Sequence, residues 1–125
     1  EANEPNVFVH EPLSKPELAK ELQRSWAWYY PNNYFETSSI AALEAQAAGC
    51  PVIANNFGAL RDTVRSTTLC HPRNFHERIE QLLDPTEYEL AQHRGVDWAC
   101  RHDWGDISDI WQSSFQTELA KMPER

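Results

Sequence analysis

Short apolar runs alternate with longer stretches of helical spacing along this chain, and that alternation constrains the fold more than any other feature. Val7-Phe8-Val9 reads as a buried strand. Ser14 followed by Glu17 is a capping-box pair with Pro16 in the first turn, and Leu18, Ala19 and Leu22 recur at helical spacing as far as Arg24. Trp26 to Tyr30 is a second strand, stopped by Pro31 and Asn32-Asn33. Thr37, Ser38 and Ser39 each suit the start of a helix running to Ala48, with Gly49 at its C′ position. Pro51 to Ala54 is a third strand, Ala59 to Val64 a short helix, and Thr67 to Cys70 a fourth strand. Asn74 precedes a helix carrying Ile79, Leu82 and Leu83. From Thr86 the pattern stays helical, broken once at 102–105 before a last helix with Ile107, Ile110, Trp111, Phe115 and Leu119. Strands alternating with helices make βαβ units, so the expected fold is α/β: a parallel sheet flanked by helices. The expectation is one unit over residues 1–125, with C-terminal helices across 86–121.

Charge and cysteine content narrow the function. Nineteen acidic against eleven basic residues give a net charge of −8, a poor complement to a phosphate backbone, so nucleic acid is excluded as a partner. The longest apolar runs are four or five residues, which rules out a transmembrane segment. No basic-then-apolar signal opens the chain, and its first residue, Glu1, leads us to expect sequence upstream. Three cysteines without a C-x-x-C suit reduced thiols in the cytoplasm, with peripheral membrane association left open.

Residues 34–64 concentrate the chemistry. Glu36 falls between a strand end and a helix start, where ligands of open parallel sheets bind. The free amides at Thr37, Ser38 and Ser39, with the positive helix end, form a ready anion site. Glu44 lies eight residues on, up to ~12 Å further along the helix. Two carboxylates separated by an anion-binding turn suit a ligand with hydroxyls at both ends and phosphate between, which is the layout of a nucleotide-sugar. Both are expected to face one cleft at the C-terminal edge of the sheet.

Glu36 and Glu44 form an E-x(7)-E pattern. Together with Ala42 through Ile53 (Ala-Leu-Glu-Ala-Gln-Ala-Ala-Gly-Cys-Pro-Val-Ile) and Gly58-Ala59-Leu60, it resembles the donor half of a family 4 retaining glycosyltransferase of the GT-B fold. The resemblance runs from Val7 to the C-terminal helix. It implies a Rossmann-like half-domain that takes part in moving a sugar from a nucleotide-sugar donor to an acceptor hydroxyl with retention, without metal or other cofactor. By the same resemblance Glu36 is the catalytic-centre carboxylate near the anomeric carbon, and Glu44 binds the ribose. The amides of Thr37, Ser38, Ser39 and Ile40 hold pyrophosphate or sugar, and the loops at Leu13 and Pro31 flank the base. The chain departs from the family at Ser38-Ser39, where glycine is usual, and at Arg61, which replaces proline. The acceptor-binding N-terminal domain and the basic residues that neutralise the diphosphate have no counterpart here. Alone, the chain is therefore expected to be inactive.

Other chemistries lack their patterns. Cys70, His71, His76, Cys100 and His102 do not have zinc-ligand spacing, so no metal site is expected. There is no Asp-x-Asp at Asp103 and Asp106, no G-x-S-x-G, no Walker A and no G-x-G-x-x-G. The competing reading is a non-catalytic α/β binding or interaction domain derived from a glycosyltransferase. The isolated chain is expected to self-associate through apolar surface at Val7, Phe8, Trp111 and Phe115.

Overall fold

The computed structural model describes residues 5–121. Its elements are α1 (Lys15–Arg24), β1 (Trp28–Tyr30), α2 (Ile40–Ala47), β2 (Val52–Ala54), α3 (Leu60–Thr63), a 3₁₀ turn (Pro72–Asn74), α4 (Phe75–Leu82), α5 (Pro85–Ala99) and α6 (Trp104–Ala120). β1 and β2 pair in parallel, with Trp28 opposite Val52 and Tyr30 opposite Ala54. A parallel crossover of this kind needs a connection long enough to return the chain, and α2 supplies it. The chain is thus α/β, a parallel sheet flanked by helices.

β2 is buried along its whole length, as a parallel strand covered on both faces must be. Its side chains alternate. Val52 and Ala54 pack with Ala42, Ala45, Cys50, Leu60 and Val64, whereas Ile53 points the other way against Phe75, Leu82 and Ala91. Small residues on α2 let that helix sit close to both the sheet and α5. The helix ends as its sequence dictates, with Gly49 at φ +76° and the Cys50 amide returning to the Ala45 carbonyl at 2.9 Å. At α1 the capping box forms: the Glu17 carboxylate accepts the Ser14 amide at 2.9 Å.

Three expectations change. Val7-Phe8-Val9 forms no strand and is 64%, 81% and 94% exposed. An extended run is held in place only by a ladder partner, and neither β1 nor β2 pairs with it. Trp26 and Ala27 drop out of the second strand because Trp26 stacks on Tyr88 at 5.6 Å, and the Tyr88 hydroxyl donates to the Trp26 carbonyl. The run 67–70 contributes a single parallel bridge, Asn55 to Cys70. The start of α2 is settled at Ser39 rather than Thr37 or Ser38.

The side chain joining these elements is Gln46, fully buried on α2. Its amide nitrogen donates to the Ala42 and Thr63 carbonyls at 3.0 and 2.9 Å. Its oxygen accepts the Arg65 and Ser66 amides at 2.7 and 2.9 Å. Every hydrogen-bonding capacity of the amide is used. Ser66 in turn takes the Val52 amide on its hydroxyl at 3.0 Å. α5 crosses at Gly95, where an added Cβ would lie 3.0 Å from Ser66 Cβ and 3.3 Å from Gln46 Cβ.

We expect Gln46→Leu to lower unfolding stability by about 3 kcal/mol in urea titration, because two buried amides lose their acceptor; a change under 1 kcal/mol would show that the loop finds other partners. The thiols of Cys50 and Cys100 should also separate. Burial pushes the Cys50 thiol up to about 11, whereas Cys100 is exposed. At pH 8 iodoacetamide should modify Cys100 and spare Cys50 until the protein unfolds. A folded pKa raised above the unfolded value means that the stability held by protonated Cys50 is complete below about pH 9 and is lost as pH climbs toward 11.

Candidate functional site

Glu36 leaves the C-terminal end of β1 through the loop Pro31–Phe35, and the structure fixes both its backbone and its side chain. Its carbonyl accepts the Ala59 amide at 2.8 Å. Gly58, at φ +57°, lies so close that a Cβ there would stand 2.8 Å from the Glu36 oxygen and 2.9 Å from its nitrogen. Only glycine fits, both for its left-handed conformation and for the contact. The carboxylate is held at one oxygen: Oε2 accepts the Tyr30 hydroxyl at 2.9 Å and the Asn32 amide at 3.1 Å. Oε1 accepts no hydrogen bond among the described residues. Tyr30 also hydrogen-bonds Tyr34, and that bond, followed by burial and the neighbouring Glu36, holds its phenol above the ordinary range. It therefore stays protonated, a donor to the carboxylate.

Glu44, half-buried one turn from the end of α2, pairs with Lys15 at the start of α1. It lines two clefts. One, of about 280 Å³, lies against α1 with Leu18 and Leu22. The other, of about 310 Å³, runs along α2 past Ser38, Ile40 and Leu43 to the α5–α6 corner at His102 and Trp104. Thr37 and Ser38 are exposed and Ser39 is buried. The amides of Thr37, Ser38, Ser39 and Ile40 make no hydrogen bond among the described residues, leaving the positive end of α2 uncapped by side chains.

The second cleft thus brings together Ser38, Ile40 and Glu44, and Glu36 lies outside its lining. Leu13 and Pro31 are at least partly exposed and belong to neither cleft. Tyr30, Asn32 and Lys15 are partners that sequence reading missed. The first two had a signal: polar residues straddling Pro31 at a strand's C-terminal end, where ligands of parallel sheets gather. Lys15 had none, since its contact spans 29 residues. Among the described residues no three His, Cys, Asp or Glu side chains gather as a metal would require, and no helix is long and apolar enough to cross a membrane.

Comparison with known proteins shows what the chain is similar to. D-inositol 3-phosphate glycosyltransferases are similar: that of Paenarthrobacter aurescens is 33% identical over 89 residues, covering 66% of this chain and 22% of the relative. That of Thermobispora bispora is 33% identical over 105 residues, covering 78% and 24%. That of Catenulispora acidiphila is 31% identical over 110 residues, covering 82% and 26%. The chain therefore spans about a quarter of the length of these relatives. The family model for glycosyl transferases group 1 matches residues 1–94 of the 125, a stretch that contains β1, α2, β2 and both glutamates, and the chain belongs to that family.

Proposed function

We propose that this chain is the donor-binding part of a retaining glycosyltransferase that uses a nucleotide-sugar. The observation that carries the reading is the Glu36 carboxylate, loaded at Oε2 by two donors and free at Oε1, beside the uncapped start of α2. In this reading Oε1 accepts a hydroxyl of the transferred sugar. The tyrosine and asparagine keep the carboxylate from rotating away, so orientation is prepared before the donor arrives. The free amides of Thr37–Ile40 meet the diphosphate oxygens, and a helix N-terminus supplies about half a positive charge there.

Glu44 takes the ribose hydroxyls, as an acidic side chain does in dinucleotide sites. Its partner Lys15 is 76% exposed, and an exposed pair contributes only about 0–1 kcal/mol, so the lysine can swing aside or turn to phosphate. A diphosphate brings about two more negative charges to a chain at −8. The remaining neutralisation, and the binding of the acceptor molecule, fall in this reading to another domain. The similar D-inositol 3-phosphate glycosyltransferases suggest a hydroxylated, phosphorylated ring as one acceptor class. The reading needs no resident metal or cofactor.

The test separates the two glutamates in the enzyme that carries this chain. Glu36→Gln should lower turnover at least 100-fold while leaving the affinity for the free nucleoside diphosphate within about twofold. Glu44→Ala should weaken that affinity about tenfold and change turnover at saturating donor little. Glu36→Gln retaining wild-type turnover would overturn the assignment. Unaltered nucleotide binding in Glu44→Ala would place the ribose elsewhere.

A further inference from the structure

A pocket of about 100 Å³ opens where the loop after α3 meets α4 and α5. Arg78 of α4 and Arg94 of α5 line it, with Ser66, Thr67 and Thr68 on the loop. Thr67 donates its hydroxyl to the Val52 carbonyl, and the Ser66 hydroxyl accepts the Val52 amide at 3.0 Å. The loop is thus tied to the first residue of β2, whereas Glu36 is held at Tyr30, the last residue of β1. The donor reading uses none of the residues in this pocket. We propose that it binds one tetrahedral oxyanion: phosphate, or the phosphate group of a small monoester.

The charges select that class. The chain carries −8 overall, and the ion pairs among its described residues engage Lys15, Arg24, His93 and Lys121. Arg78 and Arg94 join none of them. Arg78 Nη1 donates to the neutral Gln81 side chain. Arg94 Nη2 reaches the Ser66 carbonyl at 3.4 Å, beyond the usual range of an N–H···O bond. Arg78 Nε is buried and donates to nothing among the described residues. An unmade bond is most costly on a buried charged donor, and an anionic oxygen completes it best. Glu87, the carboxylate in the lining, is exposed and pairs with neither arginine. Two guanidiniums against one carboxylate leave the wall net positive.

The loop adds neutral donors. The amides of Thr67 and Thr68 make no hydrogen bond among the described residues. A guanidinium only donates, and its fork spans two oxygens of a phosphate. Packing holds the second arginine in place. At Gly95 an added Cβ would stand 3.0 Å from Ser66 Cβ, so α5 closes on the loop and brings Arg94, its neighbour, to the pocket. The volume lies below the roughly 300–1,000 Å³ of sites for drug-sized ligands. A phosphate group enters, and the remainder of a monoester stays in solvent. Because the Arg65 and Ser66 amides are held by Gln46 on α2, an anion bound to this loop also stabilises that junction.

The test is a titration of the ¹⁵N-labelled enzyme carrying this chain with sodium phosphate, ionic strength being held constant with sodium chloride. Excess nucleoside diphosphate is present throughout, to keep phosphate out of any donor site. The Arg78 Nε–H and the Thr68 amide should shift saturably, and the unfolding temperature should rise with phosphate at fixed ionic strength. Arg94→Gln, at an exposed position, should weaken binding about tenfold, the effect of about one charge-assisted hydrogen bond. It should leave unfolding without phosphate unchanged. Glu87→Gln should tighten binding about twofold by removing the competing carboxylate. Glycerol phosphate binding more tightly than phosphate identifies a monoester as the occupant, and equal binding identifies the free ion. No saturable shift at Arg78, the same shifts with chloride alone, or wild-type affinity in Arg94→Gln would overturn the proposal. None of these readouts depends on the donor reading.

Discussion

The fold hangs on one buried amide. Gln46 sits at the crossing of α2 with α5 and satisfies two loop amides that no secondary structure reaches. Through Ser66 the same junction extends to the first amide of β2. A leucine of similar volume would fill the space but orphan those amides, and the loop between α3 and the Asn55–Cys70 bridge would lose its register. Gly95 is the complementary constraint, because any larger residue there would push α5 away from the amide that the loop needs. Polar satisfaction and close packing are therefore one requirement at this junction.

With two short parallel strands among the described residues, the direction in which both C-termini point is set by α2, the crossover between them. The proposed site then builds on strand ends: Tyr30 at the end of β1, Asn55 just past β2, and Glu36 in the loop that leads into α2. The Gly58 contact closes the arrangement by pinning the Glu36 backbone to the loop after β2. Two consecutive strand-to-helix connections thus hold one carboxylate, and neither could be lengthened without moving it.

Much of this was legible in the residues. The capping box at Ser14 and Glu17, the αL glycine at Gly49 and the buried run at Val52–Ala54 are local signals that tertiary structure does not override. E-x(7)-E was legible as a pattern because it is a spacing along one loop and one helix. What escaped was everything non-local. Val7-Phe8-Val9 has strand composition, but composition cannot say whether a neighbouring strand exists to pair with. Trp26 looked like strand until Tyr88, 62 residues away, offered a ring and a hydroxyl. Gln46 looked like one more helix former inside the recognised motif. Its four partners lie partly 17 to 20 residues onward, and no periodicity reports that. The asparagines around Pro31 and Phe57 read as turn punctuation, which they are.

The two glutamates differ in how firmly they are held, and the difference is informative. Glu36 has neutral donors, a tyrosine and an amide, fixed by the strand end and by Asn55 behind them. Neutral donors orient a carboxylate without cancelling its charge, so its field remains available to a developing positive centre. Glu44 has a lysine, on a flexible stem and largely in solvent. A lysine cancels the charge while the site is empty and yields at little cost, since an exposed pair is worth at most about 1 kcal/mol. A group that acts on a reacting centre profits from the first arrangement, and a group that recognises a departing ligand profits from the second. In the proposed reading, the environment of each carboxylate thus separates a chemical role from a binding role across nine residues of chain.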